Sequence, residues 1–438
     1  MSITNIFGTD GIRSSVGKGP LTFQELPKIG RALAVWGKKK YGASPRILIG
    51  SDTRLSCDFV KSGLQLGLLA ESACIVDGGI LPTPAVAQLV NGTDDFDFGV
   101  IISASHNPYY DNGIKIIQKN LGKLSPEDEQ DITVLVQNNS EPINYHALGS
   151  VTLWPQALAQ YEERIASFFP GLSLGGKKIL IDTANGATAQ AAPALFTRFG
   201  AEVILIHAKP NGKNINHNCG ATHPEVVKKA LLEHAADIGF SFDGDGDRLM
   251  VVSKEGDIKD GDDILALLSQ HPAYAQETVL VGTIMSNSGL EEFLGKQHKK
   301  LLRTPVGDKY IAQKLQEKEL LLGGEQSGHI ILHDLGQTGD GIVTALRLTE
   351  LAVKTNDWSL KSFIKYPQVL VNLAVAEKKD LTVGLQADAI QEAERQLPLG
   401  RVLARYSGTE NLLRVMVEAP EKTQAEAIAQ ELAQKLAK

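Results

Sequence analysis

The sequence predicts an α/β protein, with three related mixed α/β domains followed by a smaller C-terminal α+β domain, and two observations carry that expectation. An apolar strand running into a small polar turn occurs three times, as Ile47-Leu-Ile-Gly-Ser-Asp-Thr, Ile179-Leu-Ile-Asp-Thr-Ala-Asn and Val279-Leu-Val-Gly-Thr-Ile-Met. Each is followed by a helical stretch and a second strand, at 73–77, 202–206 and 301–304, which makes a β-α-β unit. The intervals are unequal and far longer than solenoid periods, so these are related domains and not an array. The tail breaks the pattern: a strand at 369–375, a helix at 385–396, strands at 401–404 and 415–418, then a terminal helix. Breaks at 169–176, at 255–261 and before Tyr366-Pro367 divide the 438 residues into 1–168, 169–255, 256–365 and 366–438.

Two helix starts read as capping boxes. Thr22-x-x-Glu25 precedes Leu26, Ile29 and Leu33, and Thr423-x-x-Glu426 opens a helix with Ala425, Ile428, Ala429, Leu432 and Leu436 on one face. Such leucine-rich faces are expected to be core, not partner surfaces.

Composition narrows the class. Hydrophobic content of 43% and charged content of 22% are ordinary for a globular, soluble chain. A net charge of −7 argues against nucleic acid or an anionic membrane as partner, so a phosphorylated substrate would need a local basic pocket. Cys57, Cys74 and Cys219 are odd in number and scattered, which reads as reduced thiols in a cytoplasmic protein; neither a disulfide framework nor a zinc motif is spelled out. The start lacks the basic-then-apolar order of a signal peptide, and no uncharged apolar run reaches membrane length.

Four loops carry the chemistry. In the first, Val100-Ile-Ile ends in Ser103-Ala-Ser-His-Asn-Pro108, a strand delivering the hydroxyls of Ser103 and Ser105 to a sheet edge. In the second, Asp243-Gly-Asp-Gly-Asp-Arg248 lies between strand-like 238–242 and 249–252. Three carboxylates crowded at i, i+2 and i+4 cost about 1–4 kcal/mol per like pair at roughly 4 Å, which a divalent cation removes. An EF-hand loop is excluded, because Arg248 and Lys254 stand where its glycine and glutamate belong. Oxygen ligands alone favour Mg²⁺ over zinc or copper.

The third loop is Gly323-Gly-Glu-Gln-Ser-Gly-His329, where Glu325 and Ser327 suit sugar hydroxyls and His329 could exchange a proton near neutral pH. The fourth, Arg405-Tyr-Ser-Gly-Thr-Glu-Asn-Leu-Leu-Arg414, sets Ser407, Gly408 and Thr409 as an anion nest between two arginines. The phosphate-loop, dinucleotide and nucleophile-elbow motifs do not occur.

Serine loop, metal loop, hydroxyl-reading loop and phosphate nest, in that order, resemble the α-D-phosphohexomutase superfamily from Phe7-Gly-Thr-Asp-Gly-Ile-Arg13 to Arg414. Within it the wording resembles the bacterial phosphoglucosamine branch, in Gly8-Thr-Asp-Gly-Ile-Arg13, Asn218-Cys-Gly-Ala-Thr-His-Pro-Glu225, Val306-Gly-Asp308 and Gln326. Ser14, Lys309, Tyr406 and Asn411 depart from the usual wording.

The resemblance implies four domains around a central cleft and an isomerase that interconverts glucosamine-6-phosphate and glucosamine-1-phosphate. It implies a phosphoserine at Ser105, with Mg²⁺ held by Asp243, Asp245, Asp247 and that phosphate, and a bisphosphosugar intermediate and activator. Arg13 and Arg248 would steady the phosphoryl oxygens. Lys115 would be the acid/base, its pKa lowered with Arg13's help, and His106 would be structural or phosphate-contacting because neighbours in a turn often point apart. Glu325 and Ser327 would read the sugar, while Arg405, Ser407, Gly408, Thr409 and Arg414 would grip the phosphate not reacting. A phosphomannomutase/phosphoglucomutase or a metal-dependent sugar phosphatase is the alternative. The oligomer would be a monomer or a homodimer.

Overall fold

The computed structural model describes residues 5–8, 10–42, 44–138, 142–375, 377–406 and 411–436. These form four sheets in chain order. In the first, Arg46–Ser51 pairs in parallel with Cys74–Ile80 on one side and Phe98–Ile102 on the other, and Cys74–Ile80 pairs in parallel with Ser150–Leu153. The return strand Asp111–Gln118 then runs antiparallel to Phe98–Ile102 and carries Ile12–Ser15 beyond it. In the second, Lys178–Asp182 is flanked in parallel by Glu202–Ile206 and Ile238–Phe242, the latter closing a hairpin with Leu249–Val252. The third repeats the scheme, with Val279–Thr283 parallel to Lys300–Thr304 and Leu322–Gly324, and Leu322–Gly324 in a hairpin with Ile330–Leu332.

The threefold echo is therefore real: each repeated strand pairs in parallel with the strand that follows it, across helices Cys57–Ala70, Ala191–Arg198 and Ser288–Lys296. The tail differs as expected. Leu412–Glu418 is the centre of a three-stranded antiparallel sheet between Gln368–Ala374 and Arg401–Tyr406, with helices Gly384–Arg395 and Lys422–Leu436.

One continuous core runs from Leu48, Ile101 and Tyr161 through Ile181 and Phe240 to Leu265 and Leu346, joining the first three sheets. Leu413, Val415, Ala425, Ile428 and Leu432 form a separate core in the tail. The tail is tied to the third sheet by buried Glu418, which accepts from Ser288 Oγ (2.7 Å), Ser288 N (3.1 Å) and Arg401 Nε (2.6 Å). Arg401 and the other donors hold its carboxyl below the usual range despite burial.

The two capping boxes are not what starts the helices. The first helix is Leu26–Tyr41 with Glu25 itself at the N-cap and no side-chain cap; a hydrogen-bonded turn at 22–25 takes the first positions, and Glu25 pairs with Lys28 instead. The last helix begins at Lys422, one residue before Thr423, so Thr423 lies inside its first turn. Its predicted apolar face is buried throughout. Among the described residues, no helix is long and apolar enough to cross a membrane.

Candidate active site

Ser105 lies just past the end of strand Phe98–Ile102, where it meets the loop that follows Ile238–Phe242 of the second sheet. It is buried, with φ of 53°, a backbone region that costs a non-glycine residue on the order of 1 kcal/mol or more. Three groups hold it. Ser103 Oγ accepts from Ser105 N (2.9 Å), and Asn216 Nδ2, from the second domain, donates to Ser105 O (2.8 Å). Arg54 Nη2 donates to Ser105 O (2.8 Å) and to Asn107 O (2.8 Å).

Arg54 is one residue that reading the sequence missed. Its side chain is fully buried, paired with Asp52 (2.8 Å), and also donates to the carbonyls of Pro108 and Asp111. Asp52 in turn accepts from Ser103 Oγ (2.6 Å). One planar fork thus clamps the serine loop from behind, a geometry that lysine cannot reproduce. Arg54→Lys is expected to lower kcat about 10²-fold through misplacement of Ser105 while KM moves little. It should also cost about 1–3 kcal/mol of stability for each buried carbonyl left bare. Steady-state kinetics beside a denaturant melt check both; an unchanged kcat would remove the positioning role.

The second hairpin brings its loop directly onto the first. Ser105 Oγ donates to Asp243 Oδ2 (2.6 Å). Gly244 is glycine because a Cβ there would meet Ser105 O and Asn216 Nδ2 at 2.7 Å each, so the glycine permits the close approach of the two loops. Asp243, Asp245 and Asp247 are buried, with one oxygen of each lying within 4.8 Å of the others. Burial, then Asp247 and Asp245, push the Asp243 carboxyl well above its ordinary value. Thr83, at the start of helix Thr83–Gly92, donates to Asp245 through its hydroxyl (2.6 Å) and its N–H. Asp245 Oδ1 and Asp247 Oδ1 are buried and lack hydrogen-bond partners. Orphaned carboxylate oxygens facing like charges are what a hard divalent cation satisfies, so the residues fit Mg²⁺.

Lys115 is ten residues from Ser105 in the chain, but the hairpin returns it opposite Ile101. Its Nζ is 2.8 Å from Asp245 Oδ2, 2.9 Å from Asp247 Oδ2 and 3.2 Å from Asp10 Oδ2. The expected lowering of its pKa is not what the structure shows. Burial opposes the charge, but Asp10, Asp245 and Asp247 outweigh both burial and Arg13, and the ammonium is held well above its ordinary value. His106 does not point away from its neighbour: its Nδ1 lies 3.3 Å from Ser105 Oγ, a position consistent with a phosphate contact. Burial, then Arg248 and Arg13, bring that imidazole down to about 4, which keeps it neutral near pH 7.

Around this centre runs a ring of alternating charge. Arg13 donates to Asp10, which Lys123 also contacts; Lys123 reaches across to Asp308 of the third domain. His329 stands between Asp308 (3.4 Å) and Asp247 (3.7 Å), whose carboxylates hold its imidazole above the ordinary value against burial, and Gly339 N–H lies 3.0 Å from its Nε2. His329 therefore backs the aspartate loop. Arg248 lies beside Asp247, Asp243 and Glu325, which hold it charged against burial. Asp10, Lys123 and Asp308 were not singled out as site residues by sequence, because they pair over long distances in the chain, Lys123 with Asp10 inside the first domain and with Asp308 across to the third.

Glu325 and Ser327 are half-buried in the loop between Leu322–Gly324 and Ile330–Leu332, where Glu325 Oε1 accepts from Gly307 N (3.0 Å). Gly328, at φ +90°, packs against Leu249 so closely that a Cβ would meet its carbonyl at 2.3 Å, which joins the third loop to the metal loop. Arg405 and Arg414 face each other in register on the tail sheet. Ser407, Gly408 and Thr409 lie outside the described residues.

A buried serine hydroxyl on a carboxylate triad, ringed by arginine and lysine and carried on three repeated α/β domains with a separate tail, defines a phosphoryl-transfer enzyme of the phosphohexomutase kind. Four descriptions of phosphoglucomutase/phosphomannomutase domains match the chain in order: α/β/α domain I over 4–142, domain II over 159–256, domain III over 260–368 and the C-terminal domain over 370–435. The chain belongs to this phosphoglucomutase/phosphomannomutase family, and it is an isomerase of the intramolecular phosphotransferase class.

It is 42% identical to the phosphoglucosamine mutase of Nitrosococcus oceani over 98% of this chain and 97% of that one. It is 39% identical to the phosphoglucosamine mutase of Aliarcobacter butzleri over 98% of each. Among solved structures, a phosphoglucomutase/phosphomannomutase family protein from Burkholderia thailandensis superposes with a TM-score of 0.82 at 24% identity, covering 99% of this chain and 97% of that one. The N-acetylphosphoglucosamine mutase of Aspergillus fumigatus superposes with a TM-score of 0.67 at 18% identity, covering 98% and 95%. These two likenesses concern the fold.

Proposed function

We propose that this enzyme interconverts glucosamine-6-phosphate and glucosamine-1-phosphate through a phosphoserine at Ser105. The observation that carries the chemistry is the 2.6 Å contact from Ser105 Oγ to Asp243 inside the buried triad; the substrate follows from full-length likeness to phosphoglucosamine mutases. The phosphoserine gives its phosphoryl group to a sugar hydroxyl: the serine P–O bond breaks, a sugar P–O bond forms, and the hydroxyl proton ends on Ser105 Oγ. The bisphosphosugar then turns over and returns the phosphate from its other end.

Asp243, Asp245 and Asp247 would hold Mg²⁺, which supplies charge neutralisation for the transferring group. Arg13 and Arg248 steady the phosphoryl oxygens. Lys115, an ammonium before and after, would relay the proton, giving one to Oγ as it leaves phosphorus and recovering one from the sugar. His329 orients Asp247. Glu325 and Ser327 read the hydroxyls, and Arg405, Ser407, Gly408, Thr409 and Arg414 grip the distal phosphate. We place the domain boundaries at 168/169, 255/256 and 365/366, and assign the enzyme to the cytoplasm with a bisphosphosugar as activator.

The glucosamine amine is largely cationic near neutral pH, and a site built to satisfy it loses about 1–3 kcal/mol when it is absent. kcat/KM for glucosamine-6-phosphate is therefore expected to exceed that for glucose-6-phosphate by at least roughly tenfold, with mannose-6-phosphate also poor. Coupled assays on the three substrates, with bisphosphate present, test this. Equal or better turnover of glucose or mannose phosphate would move the enzyme to the phosphomannomutase/phosphoglucomutase branch, and net release of inorganic phosphate would make it a phosphatase.

A further inference from the structure

A second cluster of metal-ligand side chains lies in the middle domain, apart from the aspartate triad. We propose that Asp182, His207 and Cys219 form a binding site for a borderline divalent cation of the Zn²⁺ type, and that the ion braces the loop supporting Ser105. Asp182 ends the strand Lys178–Asp182 and pairs in register with Ile206, so His207, next in the chain, emerges beside it. The following loop returns Cys219 to the same place. One donor atom from each, a carboxylate oxygen, an imidazole nitrogen and a sulfur, lies within 4.8 Å of the other two.

The local hydrogen bonding leaves these donors pointed at one another. Asp182 is fully buried, its orientation fixed by Ala184 N–H on Oδ1 (2.8 Å) and Gly220 N–H on Oδ2 (2.9 Å), with lone pairs remaining on both oxygens. His207 Nδ1 lies 3.1 Å from Asp182 Oδ2, an ion pair whose place a cation between the two would take. Cys219 is fully buried, and its sulfur has only a long contact from Asn185 Nδ2 (3.9 Å). A mixed N, S and O set with three protein ligands suits Zn²⁺, leaving a fourth position for water; Mg²⁺ prefers oxygen alone. The His207 side chain is 32% exposed, which gives an ion a way in. On binding, the sulfur loses its proton to solvent as the metal–sulfur bond forms.

The consequence reaches the active site through geometry. Asn216, which donates to Ser105 O and Asn107 O, lies on the loop between His207 and Cys219. Asn185, beside Asp182, holds the base of that loop through Lys209 N and offers its own carbonyl to Thr53 Oγ1 (2.6 Å). A cation joining Asp182, His207 and Cys219 closes the loop at both ends.

The test uses the full chain with excess Mg²⁺, titrated with Zn²⁺ for melting temperature and with Co²⁺ for its spectrum. We expect one equivalent bound, a thiolate-to-cobalt charge-transfer band, and a melting temperature that rises with Zn²⁺ because the ion binds only the folded state. Cys219→Ser and His207→Gln should each abolish the band's sulfur or imidazole signature and the rise, whereas Cys57→Ser and Asp245→Asn should retain both. Since His207 is partly exposed, His207→Gln keeps the test valid if Cys219→Ser does not fold. No cobalt–thiolate band in the wild type, or a band that survives Cys219→Ser, would overturn the proposal. So would a Zn²⁺ response lost with Asp245→Asn, which would put the ion in the triad.

Discussion

Ser105→Ala is expected to lower mutase turnover by on the order of 10⁴–10⁶-fold, because it removes the atom that carries the phosphoryl group between the two half-reactions. The other hydroxyl of this loop is not placed to stand in. Ser103 Oγ is committed to Asp52 at 2.6 Å and accepts from Ser105 N, which turns it toward the loop's support and away from the triad. The fold should survive, because the groups that hold the loop act on backbone: Arg54 and Asn216 on Ser105 O, and Ser103 on Ser105 N. Peptide mapping of active wild-type enzyme should find one phosphate, on Ser105. Active enzyme without phosphate even after bisphosphate treatment, or phosphate on Ser103 alone, would end the assignment.

The parts of this site that were legible in the sequence are those whose meaning is local. A β-branched run ending in Ser103-Ala-Ser105, and three aspartates spaced by glycines between two strands, each declare a loop and a chemistry within about ten residues. The β-α-β echoes were legible for the same reason, and their observed parallel pairing uses the helical crossover that parallel neighbours require. What stayed hidden depends on distance in the chain. Arg54 reads as an ordinary arginine after a turn until the fold sets it behind four carbonyls of residues 105–111. Lys123 and Asp308 meet only because the first and third domains do.

Pattern also misled. Thr22-x-x-Glu25 has the letters of a capping box, but a hydrogen-bonded turn and Pro27 in the helix's first turn put Glu25 at the cap position. Lys115 looked like a base that Arg13 would acidify. Three carboxylates lie against its ammonium, and at such distances opposite charges in a buried site outweigh one like charge.

That balance of charge yields the last expectation, that the triad works only as a metal site. Asp10, Asp243, Asp245, Asp247 and Asp308 face Arg13, Lys115, Lys123 and Arg248, so the carboxylates already exceed the permanent cations. A phosphate on Ser105 adds about −1.5 to −2 more charge within the same buried volume. Lys115 offsets one oxygen each of Asp245 and Asp247, but their Oδ1 atoms stay without hydrogen-bond partners, and Asp243 is pushed toward its neutral form. Asp245→Asn keeps the shape and the acceptor for Thr83 while removing one charge. A metal contributes several kcal/mol to stabilising a transferring phosphoryl group, so this variant is expected to lose on the order of 10³-fold in kcat, together with a weaker Mg²⁺ affinity. Chelation of the wild type should abolish turnover reversibly, with Mg²⁺ restoring it and the circular dichroism spectrum unchanged throughout. Titration calorimetry with Mg²⁺, run beside kinetics, checks both halves. Wild-type turnover and wild-type metal affinity in Asp245→Asn would mean that Lys115 alone offsets Asp245 and Asp247, and that the phosphate on Ser105 is stabilised by Arg13 and Arg248 without an ion.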